Sequence, residues 1–458
     1  MAVTLAQSES PGRTTTSGEL SSRAAAEAYV GGVCFKLGPP ALIGAELEWL
    51  TVQGECSSAR GPAAAPRPQP AAFAAALGPY APRSIAPDSP AHALPGGSRV
   101  TIEPGGQIEL SSAPFGTAAQ LCEQLGSDAR HLRELLESRA IRIVALAADA
   151  DRRPKRLLRL PRYHAMEQSF GGIGPFGKLM MCNTAATQVS VDAGADRAEV
   201  AARWKALHTV GPALLAAFAC SPFLRGAPAG AWASQRMRTW LRLDYARTRP
   251  PAESWADPIE SYSSWALDVP LLCVRQGETE SWAAPPGATF ADWLSGALDD
   301  EIGRRPGLAD LDYHLTTLFP PVRASGHLEV RYLDAQPERG WATPILAVEA
   351  LLATPAVVAE ATALTASTAG RWLDAARHGL AEPEIRAVAV DLLALAAAHA
   401  GTEASAVELD NASRRCHRGQ TPTEFRDDST PLRAAAAGDD TAARGRSGSG
   451  STTLEELP

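Results

Sequence analysis

The chain has 458 residues, a formal net charge of −8 and a pI near 5.7. No dense basic run offsets that acidity, so a nucleic acid or a membrane surface is not the expected partner, and no apolar stretch is long enough for a membrane-spanning helix. Seven widely spaced cysteines without a CxxC, and nine histidines without an HxxxH, argue against a disulfide framework and a zinc site.

Residues 1–20 are polar and lack the apolar core of a secretory signal, so a disordered tail on a cytoplasmic protein is expected. A short helix is predicted over 21–32 and a strand over 41–52 (ALIGAELEWLTV). Strand alternation puts Glu46 and Glu48 on one face and Ala45, Leu47 and Trp49 on the other. The Pro/Ala-rich stretch 54–70 reads as a loop, and 79–97 carries too many Pro and Gly for a long element.

Residues 100–112, VTIEPGGQIELSS, read as strand, turn, strand. Gln107, Glu109 and Ser111 share one face, Ile108 and Leu110 the other, and the turn brings Glu103 beside Glu109. The glycine pair allows positive φ or a close approach of the backbone to a ligand. A helix follows over 117–140, with Leu121, Leu125, Leu132, Leu135 and Leu136 on its apolar stripe, then a buried strand over 141–147.

Residues 161–178 read as a Gly-rich loop with aromatics, and 179–192 end in a strand with Gln188, Ser190 and Asp192 on its polar face. A helix over 198–219 is broken at Gly211-Pro212. Residues 230–251 mix tryptophans with arginines, 255–272 look irregular, and 289–298 form a short helix. GHLEVRYLD, 326–334, is a strand with His327, Glu329 and Arg331 on one face and Leu328, Val330 and Tyr332 on the other. Three helices then open at Thr343-Pro344, Thr354-Pro355 and Glu382-Pro383, the last closed by Gly401. From about 420 the tail is low in complexity. A single catalytic domain is therefore expected over 21–419, between disordered tails at 1–20 and 420–458. The pattern is α+β with a largely antiparallel sheet.

Four polar strand faces thus offer Glu46 and Glu48; Glu103, Gln107 and Glu109; Gln188, Ser190 and Asp192; and Glu329 and Arg331, with no lysine among them. Clustered carboxylates repel one another and raise their pKa values, and divalent cations relieve this. Several carboxylates with an arginine suit phosphoryl transfer, where catalysis is positioning and charge neutralisation. A merely solvated sheet face is the alternative. Gly172, Gly177 and Lys178 fit GxxxxGK, but Leu179 stands where a P-loop needs Ser or Thr, so a flexible glycine loop is the expectation. No Gly-x-Ser-x-Gly occurs. Cys182 reads as a pocket-lining thiol, not a nucleophile.

The segments GAELEWL, EPGGQIELS, KLMMCNTAATQVSVD and HLEVRYLD resemble, in this order, the signature segments of glutamate–cysteine ligases. The resemblance is strongest to the plant-type and bacterial ergothioneine-pathway branch and runs from about Ala41 to Asp334. Arg162, Tyr163 and Met166 fit it, as does the spacing of Arg236, Trp240, Asp244 and Arg247. MMCNTAATQ departs from the plant form, so details of cysteine recognition do not carry over.

The resemblance implies a glutamine-synthetase-like curved antiparallel sheet, forming a funnel walled by helices, with a helical C-terminal region. It implies that ATP phosphorylates the γ-carboxylate of glutamate and that the cysteine amine then displaces phosphate to give γ-glutamylcysteine, the first step of ergothioneine synthesis. Glu46, Glu48, Glu103, Glu109 and Glu329 are the implied Mg²⁺ ligands. Arg331, with Glu329 and Glu109, is implied in catalysis, Arg331 neutralising the transferring phosphoryl group. Arg236 and Arg247 are implied partners of substrate carboxylate or nucleotide phosphate. Gln107, Tyr163, Met181, Thr184, Gln188 and Trp240 are further pocket residues. Two alternatives stand beside this: a related carboxylate–amine ligase using another amine, and a non-catalytic descendant that binds a nucleotide or an acidic metabolite.

Overall fold

A computed structural model describes residue 20 and residues 22–54, 65–249, 256–277, 280–338 and 340–423. Apart from Leu20 and residues 420–423, the two expected tails lie outside the described residues, as does most of the loop expected at 54–70.

The first half of the chain runs α1 (Arg23–Cys34), β1 (Ile43–Gln53), α2 (Pro70–Leu77), β2 (Arg99–Ile102), β3 (Ile108–Ser111), α3 (Ala118–Glu137), β4 (Ile141–Val144), α4 (Pro161–Ile173), α5 (Phe176–Asn183), β5 (Ala186–Val191), α6 (Arg197–Thr209) and α7 (Gly211–Phe218). It continues with α8 (Gln235–Leu241), α9 (Tyr245–Thr248), α10 (Pro258–Asp268), α11 (Phe290–Ser295), α12 (Asp299–Ile302), α13 (Leu308–Leu315), β6 (Val322–Ala324) and β7 (Leu328–Asp334). Five helices follow: α14 (Ala342–Leu351), α15 (Pro355–Leu364), α16 (Trp372–His378), α17 (Pro383–Ala398) and α18 (Glu403–His417).

The seven strands form one antiparallel sheet in the order β2-β3-β1-β5-β7-β6, with β4 paired to the end of β1. Alternation sets its two faces. Leu47, Trp49, Ile108, Leu110, Val189, Leu328 and Val330 are buried on the apolar one. Helix α3 covers β1 and β4 with Leu121, Leu125, Leu132 and Leu136, all fully buried. The β5–β7 register shifts between Thr187 and Val189, at the level of Gln188 and Arg331. Such irregularities re-aim side chains beside functional sites.

Four readings are corrected. The stretch 161–178 is not a glycine loop but α4 and the start of α5, broken at Gly174. Burying Tyr163, Met166 and Phe170 outweighs the helix cost of Gly171 and Gly172. A side chain at Gly177 would put its Cβ 2.2 Å from Phe170 Cβ, so glycine is what lets the two helices cross. The stretch 255–272 contains α10, capped by Asp257, whose side chain accepts from the Ile259 and Glu260 amides. The C-terminal region holds five helices, not three. Helix α14 starts at Ala342, so Thr343-Pro344 lie inside its first turn, and α17 ends at Ala398, short of Gly401. The Thr354 cap and the break between α6 and α7 stand where the sequence puts them.

The six described cysteines are free; Cys56 lies outside the described residues. No single helix among the described residues is long and apolar enough to cross a membrane.

Candidate active site

The polar face is built by register. Glu48 pairs directly with Glu109 across β1 and β3, and Glu46 pairs with Ser111 on one side and Gln188 on the other. Gln188 Nε2 bridges the two β1 carboxylates, donating to Glu46 Oε2 at 2.9 Å and Glu48 Oε1 at 3.2 Å. The Ala186 amide donates to Glu48 Oε2 at 2.8 Å. Thr101 and Ser111 hydroxyls donate to Glu109 Oε1 at 2.7 and 3.2 Å. Ser190 pairs with Glu329, which brings the last carboxylate into the same row.

The electrostatics divide this row. Burial, with Glu329 nearby, pushes the Glu46 carboxyl up to about 7. Burial, reinforced by the charge of Glu46 and more weakly by Glu103 and Glu48, pushes Glu109 well above the carboxylate range. Glu329 goes the other way. Burial would raise it, but Arg323 and Arg331 outweigh burial and hold it at about 2. Arg331 NH1 donates to Glu329 Oε1 at 2.6 Å and Arg323 Nε to Oε2 at 2.7 Å. The face therefore has an ion-paired end at β6–β7 and a strongly acidic, repulsive end at β1–β3.

The EPGGQ turn closes the acidic end. Gly106 N–H donates to Glu103 O and Glu103 N–H to Gln107 O, at 2.9 and 2.8 Å, with Gly106 at φ +87°. This is a turn followed by a left-handed residue, which needs glycine. Gly105 has a different reason. A Cβ there would sit 2.3 Å from Cys182 O and 2.5 Å from Cys182 Cα. The backbone approach expected at this glycine pair is thus to α5. It lets Gln107 Nε2 reach Thr184 O at 2.9 Å.

Glu48, Glu103, Gln107, Tyr163, Met181, Thr184, Arg236 and Trp240 line one small cavity of about 20 Å³ with Pro104, Met166 and Met180. That is the room of about one water. Glu46, Glu109, Gln188, Glu329 and Arg331 lie on the same sheet face, outside its lining. Arg236 and Arg331 each hold a guanidinium 5.4 Å from the Trp240 ring centroid, and Trp240 Nε1 is fixed by Phe319 O at 2.9 Å. Arg236 NH2 donates to Arg331 O at 2.7 Å. Arg331 Nε, Gln107 Oε1 and Gln188 Oε1 are buried without a hydrogen-bond partner among the described residues.

One expected residue does not join the site. Arg247 is buried against Asp244, Thr317 O and Pro270 O, at 3.0, 2.9 and 2.5 Å, and holds loops together. Arg162 donates to Thr316 and lies over Tyr313, and Lys178 pairs with Glu167 at 2.6 Å, away from any phosphate-loop geometry. Asp192 accepts from the Ala41 and Leu42 amides. Burial pushes the Cys182 thiol up to about 12, consistent with an unreactive residue. Two contributors were missed. Arg323 lies on a strand too short to show alternation, and Thr101 opposes Glu109 one strand away. A larger groove of about 1380 Å³, walled by residues of α6, α15 and α16, contains none of the expected site residues.

The profile of the glutamate-cysteine ligase family 2 (GCS2) matches residues 42–436. The chain belongs to this ligase family. It is 39% identical over 316 residues to the glutamate–cysteine ligase EgtA of Mycolicibacterium smegmatis, covering 68% of this chain and 73% of that one. It is 39% identical to EgtA of Mycobacterium tuberculosis strain H37Rv over 68% of this chain and 72% of the relative. The chloroplastic glutamate–cysteine ligase of Medicago truncatula is 33% identical over 53% of this chain and 48% of its own length. All five carboxylates, the EPGGQ turn, Arg236 and Arg331 lie inside the family match, and so do α14 to α18.

Proposed function

We propose that the protein is an ATP-dependent glutamate–cysteine ligase, carried by a single catalytic domain from 21 to 419, and that its γ-glutamylcysteine feeds ergothioneine synthesis in the cytoplasm. The observation that carries this reading is the polar sheet face. The carboxylates of three separate motifs share one face with Gln188 of a fourth, beside a cavity lined by Arg236 and Trp240. The likeness to the two mycobacterial EgtA proteins supports the choice of amine and pathway.

The donor set fits Mg²⁺ in kind. The ligands are hard carboxylate oxygens, and burial first, then neighbouring carboxylates, raises Glu46 and Glu109, a cost that a cation would offset. Among the described residues, however, no three His, Cys, Asp or Glu side chains converge on one ion position. That suits an ion held by one or two carboxylates and completed by phosphate oxygens. Glu46, Glu48, Glu103, Glu109 and Glu329 would supply the protein oxygens. Bound Mg²⁺ would neutralise charge on the β- and γ-phosphates of ATP.

The chain's own residues do the rest. A γ-carboxylate oxygen of glutamate attacks the γ-phosphorus of ATP, and ADP leaves. Arg331 has Nε to spare for a transferring phosphoryl oxygen, and its NH1 is braced by Glu329. Arg236, held on Trp240, receives a substrate carboxylate or phosphate. Tyr163, Met166, Met180 and Met181 wall the cavity and exclude water from the acyl phosphate. The cysteine amine then attacks the acyl carbon, and phosphate departs with the original carboxylate oxygen.

Purified protein with ATP, Mg²⁺ and glutamate is offered single amines, and ADP and γ-glutamyl products are followed. The reading requires equimolar ADP and γ-glutamylcysteine with a clear preference for cysteine. Turnover without that preference supports a ligase for another amine. No turnover with any amine supports a binding protein.

A further inference from the structure

The carboxylate of Asp334, at the end of β7, plays no part in the chemistry above, yet it is fully buried and densely bonded. Its Oδ2 accepts from the Cys220 amide at 3.0 Å and from Ser221 Oγ at 2.7 Å. Its Oδ1 accepts from Ser234 Oγ at 2.8 Å and lies 3.9 Å from Arg236 NH1. Ser234 is the N-cap of α8 and accepts from the Met237 amide at 3.0 Å. Ser221 Oγ accepts from the Arg236 amide at 3.3 Å. Asp334 therefore grips both hydroxyls that hold the first turn of α8, and α8 carries Arg236 and Trp240 to the cavity.

The same strand carries Glu329 and Arg331, and Arg236 NH2 meets the Arg331 carbonyl. One carboxylate thus ties the phosphoryl end of the site to the helix bearing the anion-binding arginine. A buried charge with so many donors is costly to assemble and is expected where geometry must be held. Burial raises the Asp334 carboxyl, and Arg236, the Cys220 amide and the two serine hydroxyls oppose that.

We infer that Asp334 is a positioning residue that fixes Arg236 against β7 through the Ser221 and Ser234 hydroxyls, and so sets affinity for the anionic substrate that Arg236 receives. The inference rests on the reading that Arg236 binds a substrate anion.

Asp334→Asn keeps the size and one acceptor oxygen. It is assayed alone and in an Arg236→Ala background, with KM measured for glutamate, cysteine and ATP and folding checked by circular dichroism. The expected result is a rise of about tenfold or more in the KM of a single anionic substrate, little change in kcat, and no further effect once Arg236 is gone. Unchanged KM values, or an equal additional loss in the Arg236→Ala background, overturn the inference. A wild-type-like Arg236→Ala enzyme overturns it together with the role of Arg236, while leaving the ligase reading intact. If wild-type protein makes no γ-glutamylcysteine, the ligase reading fails instead. The crystal structure of Asp334→Asn then decides: an Arg236 guanidinium moved off the Arg331 carbonyl supports the inference, and an unmoved one overturns it. If Asp334→Asn does not fold, Ser234→Ala carries the same measurements.

Discussion

Glu48 and Glu109 stand directly opposite each other on β1 and β3, two carboxylates as a cross-strand pair in the buried centre of a sheet. Two charges at such positions repel, and with burial this raises the Glu109 carboxyl, at a cost in stability near neutral pH. Glu109→Gln removes one of them while keeping its shape and its bonds from Thr101 and Ser111. The variant is expected to melt at a higher temperature than the wild type in metal-free buffer and to lose turnover by about 10²-fold or more. Thermal melting and product formation check the two halves together. Wild-type rates would remove Glu109 from the site.

Arg331→Ala is expected to lower turnover by about 10³-fold, the scale for an arginine that neutralises a transferring phosphoryl group. Arg331→Lys is not expected to rescue it, since one ammonium cannot both brace Glu329 and reach substrate. Comparing the two variants at saturating ATP and glutamate tests this.

Arg247 serves as the contrasting arginine. Its bonds reach Asp244, Thr317 and Pro270, not the cavity. Arg247→Met leaves buried acceptors unmatched, so the urea midpoint should fall by an amount equivalent to about 2–4 kcal/mol. KM values at a temperature where the variant stays folded should not change. A selective rise in one KM would restore Arg247 to the substrate site.

Gly105→Ala should cost about 1–3 kcal/mol and also lower turnover, because the new Cβ meets Cys182 backbone and pushes away the turn that carries Glu103 and Gln107. Gly172→Ala, in α4 with nothing within 4 Å of a Cβ, should stabilise by about 0.5–1 kcal/mol. Denaturation midpoints of the two variants should move in opposite directions.

The acid side of the stability profile should depend on His208 and His314. Burial lowers both to about 4, against the hydrogen bonds they make to Trp204 O and Ala266 O. The unfolded imidazole titrates near about 6.5. Between those values the unfolded chain binds more protons, so this stability is whole above the unfolded pKa and is lost as pH falls toward 4. The loss reaches up to about 3 kcal/mol per histidine. Glu46, raised to about 7, acts in the opposite sense, losing stability as pH rises through the same window. The difference between wild type and His208→Gln, followed by urea midpoints from pH about 7 to 4, therefore isolates the histidine. A flatter acid limb in the variant is expected, and an identical slope would contradict it.

The polar strands were legible because their period-two alternation survives in short motifs, and the register then aligned the faces without further information. Residues 161–183 were not. Their glycines read as loop, while the aromatics that hold α4 to the core act only through tertiary contact. The arginines divide in the same way. Arg331 sits on an alternating strand, so its face is fixed by sequence. Arg236 and Arg247 lie in short helices whose orientation depends on buried partners, and only Arg236 proved to face the cavity. Arg323 escaped because three residues of β6 carry too little pattern.

The central claim is that the γ-carboxylate is activated as an acyl phosphate on this sheet face. It is tested most directly with glutamate carrying heavy oxygen in its γ-carboxylate, turned over with ATP, Mg²⁺ and cysteine. The account predicts that released phosphate carries one labelled oxygen for each γ-glutamylcysteine formed. Unlabelled phosphate alongside the same product would contradict it.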